Sequence, residues 1–283
     1  IIASPALPRE AGEGSEEAMS VDVNAFPGGT KAGILFHDIL EHFDFTETKT
    51  DVIRKLVSTK LQTYGFDGQW AETLTRTLYK LIRLPLVMPE ESGIRHSRPL
   101  TLSMIPQAER LTELEFYFPL QKISSEKMNE IFGGNSRWEK AERLQFSPTQ
   151  GFMHGFIDLI FRYEGRFYLV DWKTNLLGTR VTDYHQATLM KAMTENFYFL
   201  QYHLYLIALH RYLMLRLPDY RYETHFGGVF YLFLRGMDPE YGPEFGVYKD
   251  RPRETLIHTL NDDKKEFNKY GFLDECTRII CLN

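Results

Sequence analysis

The sequence predicts an α/β fold: a central mixed sheet flanked by helices, with a helical lead-in before it. Three observations predict this. The stretch Gly151 to Asn175 holds two runs rich in aromatic and β-branched residues around a polar tip. Two further β-rich runs stand apart from it, near 113–119 and 227–234. Between and before these runs lie stretches with helical apolar spacing, the longest from Tyr184 to about Leu215.

A chain of 283 residues can bury a sizeable core, and 43% hydrophobic with 14% aromatic content indicates a globular protein. No uninterrupted apolar run suffices for a membrane span, because Phe197 to Leu217 is broken by Gln201, His203, His210 and Arg211. No secretory leader is visible, and a chain starting at Ile1 reads as a piece cut from something larger. Cys276 and Cys281 imply no disulfide and suit a reducing, cytoplasmic setting.

Of the net charge of −5, residues 1–30 carry −4, with Glu10, Glu13, Glu16, Glu17 and Asp22 against Arg9. The remaining −1 excludes the broad basic face of an independent duplex binder.

In chain order, 1–27 reads as a flexible linker, rich in Pro, Ala, Gly, Ser and Glu and without apolar periodicity. Lys31 to Phe43 reads as a helix with Ile34, Leu35, Ile39, Leu40 and Phe43 apolar. Asp51 to about Tyr64 and Gln69 to Arg83 read as two more amphipathic helices of a lead-in spanning 31–100, in which Pro85 closes the helical region. Arg110 to Leu120 alternates: Leu114, Phe116, Phe118 and Leu120 share one face, Glu113, Glu115 and Tyr117 the other. The mixed-polarity stretch 121–150 carries a loop at Gly133 to Asn135 and no motif.

The hairpin follows. Glu164-Gly165 is a two-residue turn in which Gly165 takes positive φ, so Tyr163 pairs with Arg166. Counting back, Asp158 falls opposite Asp171 in a non-hydrogen-bonded pair, where like charges sit close and repel. Lys173, two residues on from Asp171, points to the same face. Two carboxylates and a lysine converging at a strand end make a site for a hard divalent ion such as Mg2+, suited to displacement at phosphorus. Taken alone, a D-x-K is more often a solvated hairpin; the opposed second acid and the apolar strands favour the site.

After a connection over Asn175 to Thr182, a long helical stretch breaks near Asn196. It carries a core stripe, Leu200, Leu204, Ile207 and Ala208, and a second stripe of Tyr198, Gln201 and Tyr205. Gln201 and Tyr205 could hydrogen-bond the lysine, metal waters or a phosphate. His154, Tyr184 and Tyr198 are weaker candidates for DNA contact, tyrosine because its ring can stack on a base. Gly227 to Arg235 reads as a buried strand that completes a catalytic core over 110–236. The segment 237–283, with Lys249, Arg251, Arg253, Lys264 and Lys265, reads as peripheral.

Ile157-Asp158, twelve residues, then Asp171-Trp172-Lys173 resembles the PD-(D/E)XK nuclease signature, with Ile where many members have Pro. GFIDL, DWKTN, the Q-x-x-x-Y of Gln201 and Tyr205, and FGGVFYLFLRG (Phe226 to Gly236) resemble the RecB branch, from about Phe26 to Tyr248. The resemblance implies a restriction-endonuclease-like core and a divalent-metal-dependent deoxyribonuclease. Its setting would be the helicase–nuclease of the exodeoxyribonuclease V type, in double-strand break repair and recombination.

By the same resemblance His37, soon after Gly33, is a metal ligand with Asp158 and Asp171, and Glu113 rather than Glu115 is the further active-site acid. From the residues alone, a solvent-facing strand accounts for Glu113 equally well, and a packed or surface histidine is the better account of His37. Lys173 positions or activates water. The implied ion is Mg2+, with Mn2+ the alternative suggested by imidazole ligation and Ca2+ a binder that does not support catalysis. Two cysteines exclude a four-cysteine iron–sulfur cluster. Implied partners are single-stranded and unwound double-stranded DNA, RecC- and RecD-like subunits and a recombinase loaded through this domain, in the bacterial nucleoid, with no membrane. Residues 1–27 resemble the tether between helicase and nuclease.

Rival readings are a catalytically weak module that binds other proteins and a stand-alone restriction-type endonuclease. The intact Asp158, Asp171 and Lys173 weigh against the first, and the linker and near-neutral body against the second. A motor is excluded within these residues, which hold no G-x-x-x-x-G-K-[ST] phosphate loop.

Overall fold

A computed structural model describes residues 23–123 and 149–255. At its centre is a five-stranded sheet in the order β1–β2–β3–β4–β5. The strands are β1 (Arg110–Ile123), β2 (Thr149–Tyr163), β3 (Arg166–Lys173), β4 (Phe226–Phe233) and β5 (Val247–Asp250). Only the β3–β4 pairing is parallel; the others are antiparallel. A parallel pair needs a crossover. It is supplied by α4 (Gln186–Glu195) and α5 (Tyr198–Arg216), followed by the short α6 (Tyr222–His225). Phe197, left-handed at φ 53°, separates α4 from α5 close to the break expected at Asn196.

The lead-in helices α1 (Thr30–His42), α2 (Thr50–Thr63) and α3 (Trp70–Leu81) cover one face of the sheet. Their apolar stripes (Leu35, Phe36, Ile39 and Leu40 from α1, Ile53, Val57 and Leu61 from α2, Leu74 and Leu78 from α3) meet Tyr168, Val170 and Trp172 of β3. The opposite face meets α4 and α5 through Phe167, Leu169, Tyr231 and Phe233. Because β3 is covered on both sides, all six residues from Phe167 to Trp172 are buried, and its sequence shows no polar alternation.

The β2–β3 turn forms as expected. Glu164 (φ 47°) and Gly165 (φ 74°) are both left-handed, the requirement of the hairpin turn whose twist matches its strands. The Glu164 carboxylate accepts the Ser97 N–H at 3.1 Å, which ties the turn to the lead-in. The register runs from Tyr163–Arg166 to Leu159–Val170.

Two boundaries differ from the sequence reading. The linker expected over 1–27 ends sooner, since Phe26 is buried against Phe36, Phe66 and Trp70. The Arg235 guanidinium also donates to the carbonyls of Val23, Phe26 and Pro27. The segment expected to be peripheral from 237 contributes β5, which pairs with β4 over Val229–Asp250 to Leu232–Val247. A strand of four residues is too short to announce itself by alternation. Residues 1–22, the loop at Gly133 to Asn135, Lys264, Lys265 and both cysteines lie outside the described residues. Among the described residues, no helix is long and apolar enough to cross a membrane.

Candidate active site

The site forms where the regular ladder of β2 fails on both sides. Toward β1, Thr112–Leu159 and Leu114–Ile157 pair, but Glu113 and Asp158 between them do not. Glu113 is left-handed at φ 51°, an unfavourable conformation for a non-glycine residue that the surrounding strands must enforce. Side-chain alternation shifts at this point: Leu114, Phe116 and Ile157 enter the core under α5, whereas Leu159 and Phe161 enter the core under α1 to α3.

Toward β3, pairing stops at Leu159–Val170. The close Asp158–Asp171 ladder pair expected from the turn is therefore not made. Instead, Asp158 Oδ2 accepts the Trp172 backbone N–H at 2.7 Å, so a side chain replaces the next rung. The two acids remain electrostatic neighbours without being a paired rung.

Helix α1 brings His37 to this break. At Gly33 the helix runs within contact distance of Thr174, the residue after Lys173. His37 Nδ1 lies 3.4 Å from Asp158 Oδ1. Ligand atoms of His37, Glu113 and Asp158 all lie within 4.8 Å of one another, as a divalent ion requires. Glu115 does not join them; it sits on the exposed face of β1, with His154 Nε2 2.8 Å from its Oε1. A second group, Asp38, Glu41 and His42, lies one turn along α1, but Asp38 already accepts from Lys60 and Tyr64.

Asp171 is 2% exposed. Burial, then the nearby Asp158 charge, pushes its carboxyl up to about 7, against the opposing pull of Lys173. Lys173 Nζ lies 2.6 Å from Asp171 Oδ2, a close ion pair between two buried or nearly buried groups. Burial and Asp158 also raise the Glu113 carboxyl. For His37, burial works against the imidazolium, but Asp158, Asp171 and Glu113 outweigh it and the pKa rises.

Helix α5 holds the lysine. Lys173 Nζ donates to Gln201 Oε1 at 3.0 Å and stands 3.9 Å from the centre of the Tyr198 ring. Gln201 Nε2 in turn donates to Tyr205 Oη at 2.8 Å, and the Tyr205 ring meets Phe116 of β1 at 5.6 Å. The expected stripe on α5 thus reaches the site, with Tyr198 directed to the lysine.

Tyr231 was missed by sequence reading. It lies beside Asp171 in the β3–β4 register and donates to Gln201 Oε1 at 3.0 Å. A phenol inside an otherwise apolar buried run was the available signal, because a buried hydroxyl needs a partner. Tyr184 is a correction. It is fully buried, accepts the Leu177 N–H at 3.2 Å and donates to Asn175 O at 3.2 Å, so it cannot reach DNA. Its 3-10 turn packs beneath the loop after Lys173, where tertiary packing overrode the surface position expected of a helix start. His154 is exposed.

The donor set fits a divalent ion: two carboxylates and an imidazole converge, and the buried Asp171 carboxylate lies in the field of Asp158 and His37. The chain matches the PD-(D/E)XK nuclease superfamily over residues 22–271 and belongs to it. Members of that superfamily are nucleases that use divalent metals.

Within the superfamily, the chain is similar to RecB, a subunit of the RecBCD enzyme. It is 38% identical to the Escherichia coli K12 subunit over 248 residues, 87% of this chain and 20% of that protein. Against the Haemophilus influenzae subunit it is 37% identical over 237 residues, 83% of this chain and 18% of that protein. Against the Mycobacterium tuberculosis H37Rv subunit it is 32% identical over 283 residues, 89% and 25%. The chain thus spans about a fifth of the length of these relatives and corresponds to their C-terminal nuclease domain.

Proposed function

We propose that this chain hydrolyses DNA phosphodiester bonds with a divalent ion, as the nuclease part of a helicase–nuclease of the exodeoxyribonuclease V type. The observation that carries the reading is the convergence of His37, Glu113 and Asp158 within 4.8 Å, with buried Asp171 and Lys173 beside them. His37, Asp158 and Asp171 would hold the divalent ion, with Glu113 on the ion or its water, and it would supply Lewis-acid charge for the attacking water and the phosphate oxygens. Mg2+ suits the carboxylates, Mn2+ is favoured by the imidazole, and Ca2+ would bind without supporting turnover.

The chain's own residues do the rest. Gln201 accepts one of the three N–H groups of Lys173, Asp171 fixes its position by charge, and Tyr231 fixes Gln201. The ammonium then has donor capacity for a phosphate oxygen or an attacking water, held within reach of Asp171.

The near-neutral body, −1 over residues 31–283, supports a nuclease fed with single strands by other subunits rather than one that grips duplex DNA alone. We infer RecC- and RecD-like partners, a recombinase loaded through this domain, a role in double-strand break repair and a place at the bacterial nucleoid. The expected N-terminal linker would tether the nuclease to its motor.

The test is hydrolysis of end-labelled single-stranded DNA with Mg2+, comparing the chain with its Lys173→Ala variant. Cleavage that needs the ion and the lysine supports the reading; full activity in excess EDTA overturns it.

A further inference from the structure

Beyond Glu113 and Asp158, β1 and β2 continue as a paired ribbon, with Glu115 opposite Phe156 and Tyr117 opposite His154. The inner face is spent on packing: Leu114, Phe116 and Ile157 are buried, Met153 packs on them, and a Cβ on Gly155 would strike the Phe116 ring. Phe156 and Tyr117 face outward, 44% and 55% exposed. The His154 ring stands between them, 5.3 Å from Phe156 and 6.2 Å from Tyr117, edge-on to both. His154 Nε2 also lies 2.8 Å from Oε1 of Glu115, which pairs opposite Phe156.

Successive outward residues on a strand stand about 7 Å apart, so Phe156 lies about one such step from Asp158, and His154 about two. An exposed run of three rings is an unusual use of a strand surface, since a large aromatic left in water forgoes its burial energy. Rings in a row leading away from a cluster of metal-ligating side chains offer what unpaired bases need: flat apolar faces indifferent to sequence, with the phosphates led toward the cation site. A protein partner would also accept apolar rings. The continuity of the row with the metal-ligating acids favours the nucleic-acid strand.

We propose that Phe156, His154 and Tyr117 form a base-stacking platform that holds a single strand of nucleic acid next to the scissile phosphate. The proposal rests on the nuclease reading above and deepens it.

The test measures binding apart from cleavage. Anisotropy of a labelled thymidine oligonucleotide and of an abasic strand of equal length is followed with Ca2+ in place of Mg2+. The wild-type chain is expected to prefer the strand with bases. Phe156→Ala should weaken its binding about tenfold, and Phe156→Ala with Tyr117→Ala further, while abasic binding stays within twofold. Phe156→Trp should retain the preference and shows that a loss is not misfolding. Equal wild-type affinity for both strands, or an unchanged preference in Phe156→Ala, overturns the platform. So does sedimentation showing a dimer of this chain that Phe156→Ala dissociates, because a second copy would then own the face. Failure of the nuclease reading is separate, appearing as Mg2+-independent or absent cleavage whatever the binding result.

Discussion

Asp158 Oδ2 accepts the backbone N–H of Trp172 at 2.7 Å, so the acid of β2 closes the strand that carries the acid of β3. One oxygen of the carboxylate thereby serves the fold, while the other lies 3.4 Å from His37 Nδ1. Structure and chemistry draw on the same side chain, and substitutions can separate them.

Asp158→Ala removes the acceptor and leaves a buried N–H unmet, an expected cost of about 1–3 kcal/mol. That corresponds to a fall in melting temperature of several degrees for a domain of this size. Asp158→Asn keeps a carbonyl oxygen for Trp172 and should melt close to wild type. Both should lose DNA cleavage. Equal melting of the two variants in EDTA would show that the hydrogen bond contributes nothing.

Asp171 makes the metal-free fold sensitive to pH. Its carboxyl moves from an ordinary 3.8 to about 7 on folding, because burial and Asp158 disfavour the charge. Between those values the folded state holds a proton that the unfolded state releases, so stability falls as pH rises across that window. Asp171→Asn should remove this slope and raise the melting temperature in EDTA at pH 8 while abolishing cleavage. Calorimetry across pH 4 to 8 decides it, and a variant that melts at or below wild type at pH 8 contradicts the account.

Metal affinity should fall as pH falls, because the ion must displace a proton from His37, whose pKa Asp158, Asp171 and Glu113 raise. Titration calorimetry with Mn2+ should show weaker binding at pH 6 than at pH 8. His37→Gln should bind more weakly at pH 8 and lose part of the pH dependence.

The two neighbouring glutamates should behave differently. Glu113→Gln is expected to weaken Mg2+ binding by about tenfold or more, whereas Glu115→Gln should leave it within twofold. Equal effects would remove Glu113 from the ion site.

Tyr231→Phe should lower kcat several-fold without changing KM, because Lys173 keeps Gln201 but Gln201 loses its anchor. Gln201→Ala should do more. Single-turnover cleavage of a short single strand measures both.

Sequence determined the hairpin and the layers. A two-residue turn fixes register by geometry alone, so the pairing of Tyr163 with Arg166 and the rungs to Leu159–Val170 could be counted from Glu164-Gly165. Helical spacing placed the lead-in helices and the break near Asn196, because burial of a stripe must repeat with the helix period. The D-x-K spacing put Asp171 and Lys173 on one face because side chains two apart on a strand point the same way.

Only the tertiary structure decided which acids meet. Counting predicted an Asp158–Asp171 rung, but the ladder breaks beside the left-handed Glu113, and Asp158 meets Trp172 and His37 instead. Nothing local announces positive φ at a glutamate, since the strain is imposed by the pairs that flank it, Thr112–Leu159 and Leu114–Ile157. Alternation also put Glu113 and Glu115 on one face with equal claim, and what separates them is the approach of α1 across the sheet. The burial of Tyr184, the anchoring of Gln201 by Tyr231 and the capture of residues 23–27 by Arg235 are likewise contacts between segments distant in sequence. Periodicity reports which face a residue takes on its own element; what stands opposite that face depends on how the elements pack.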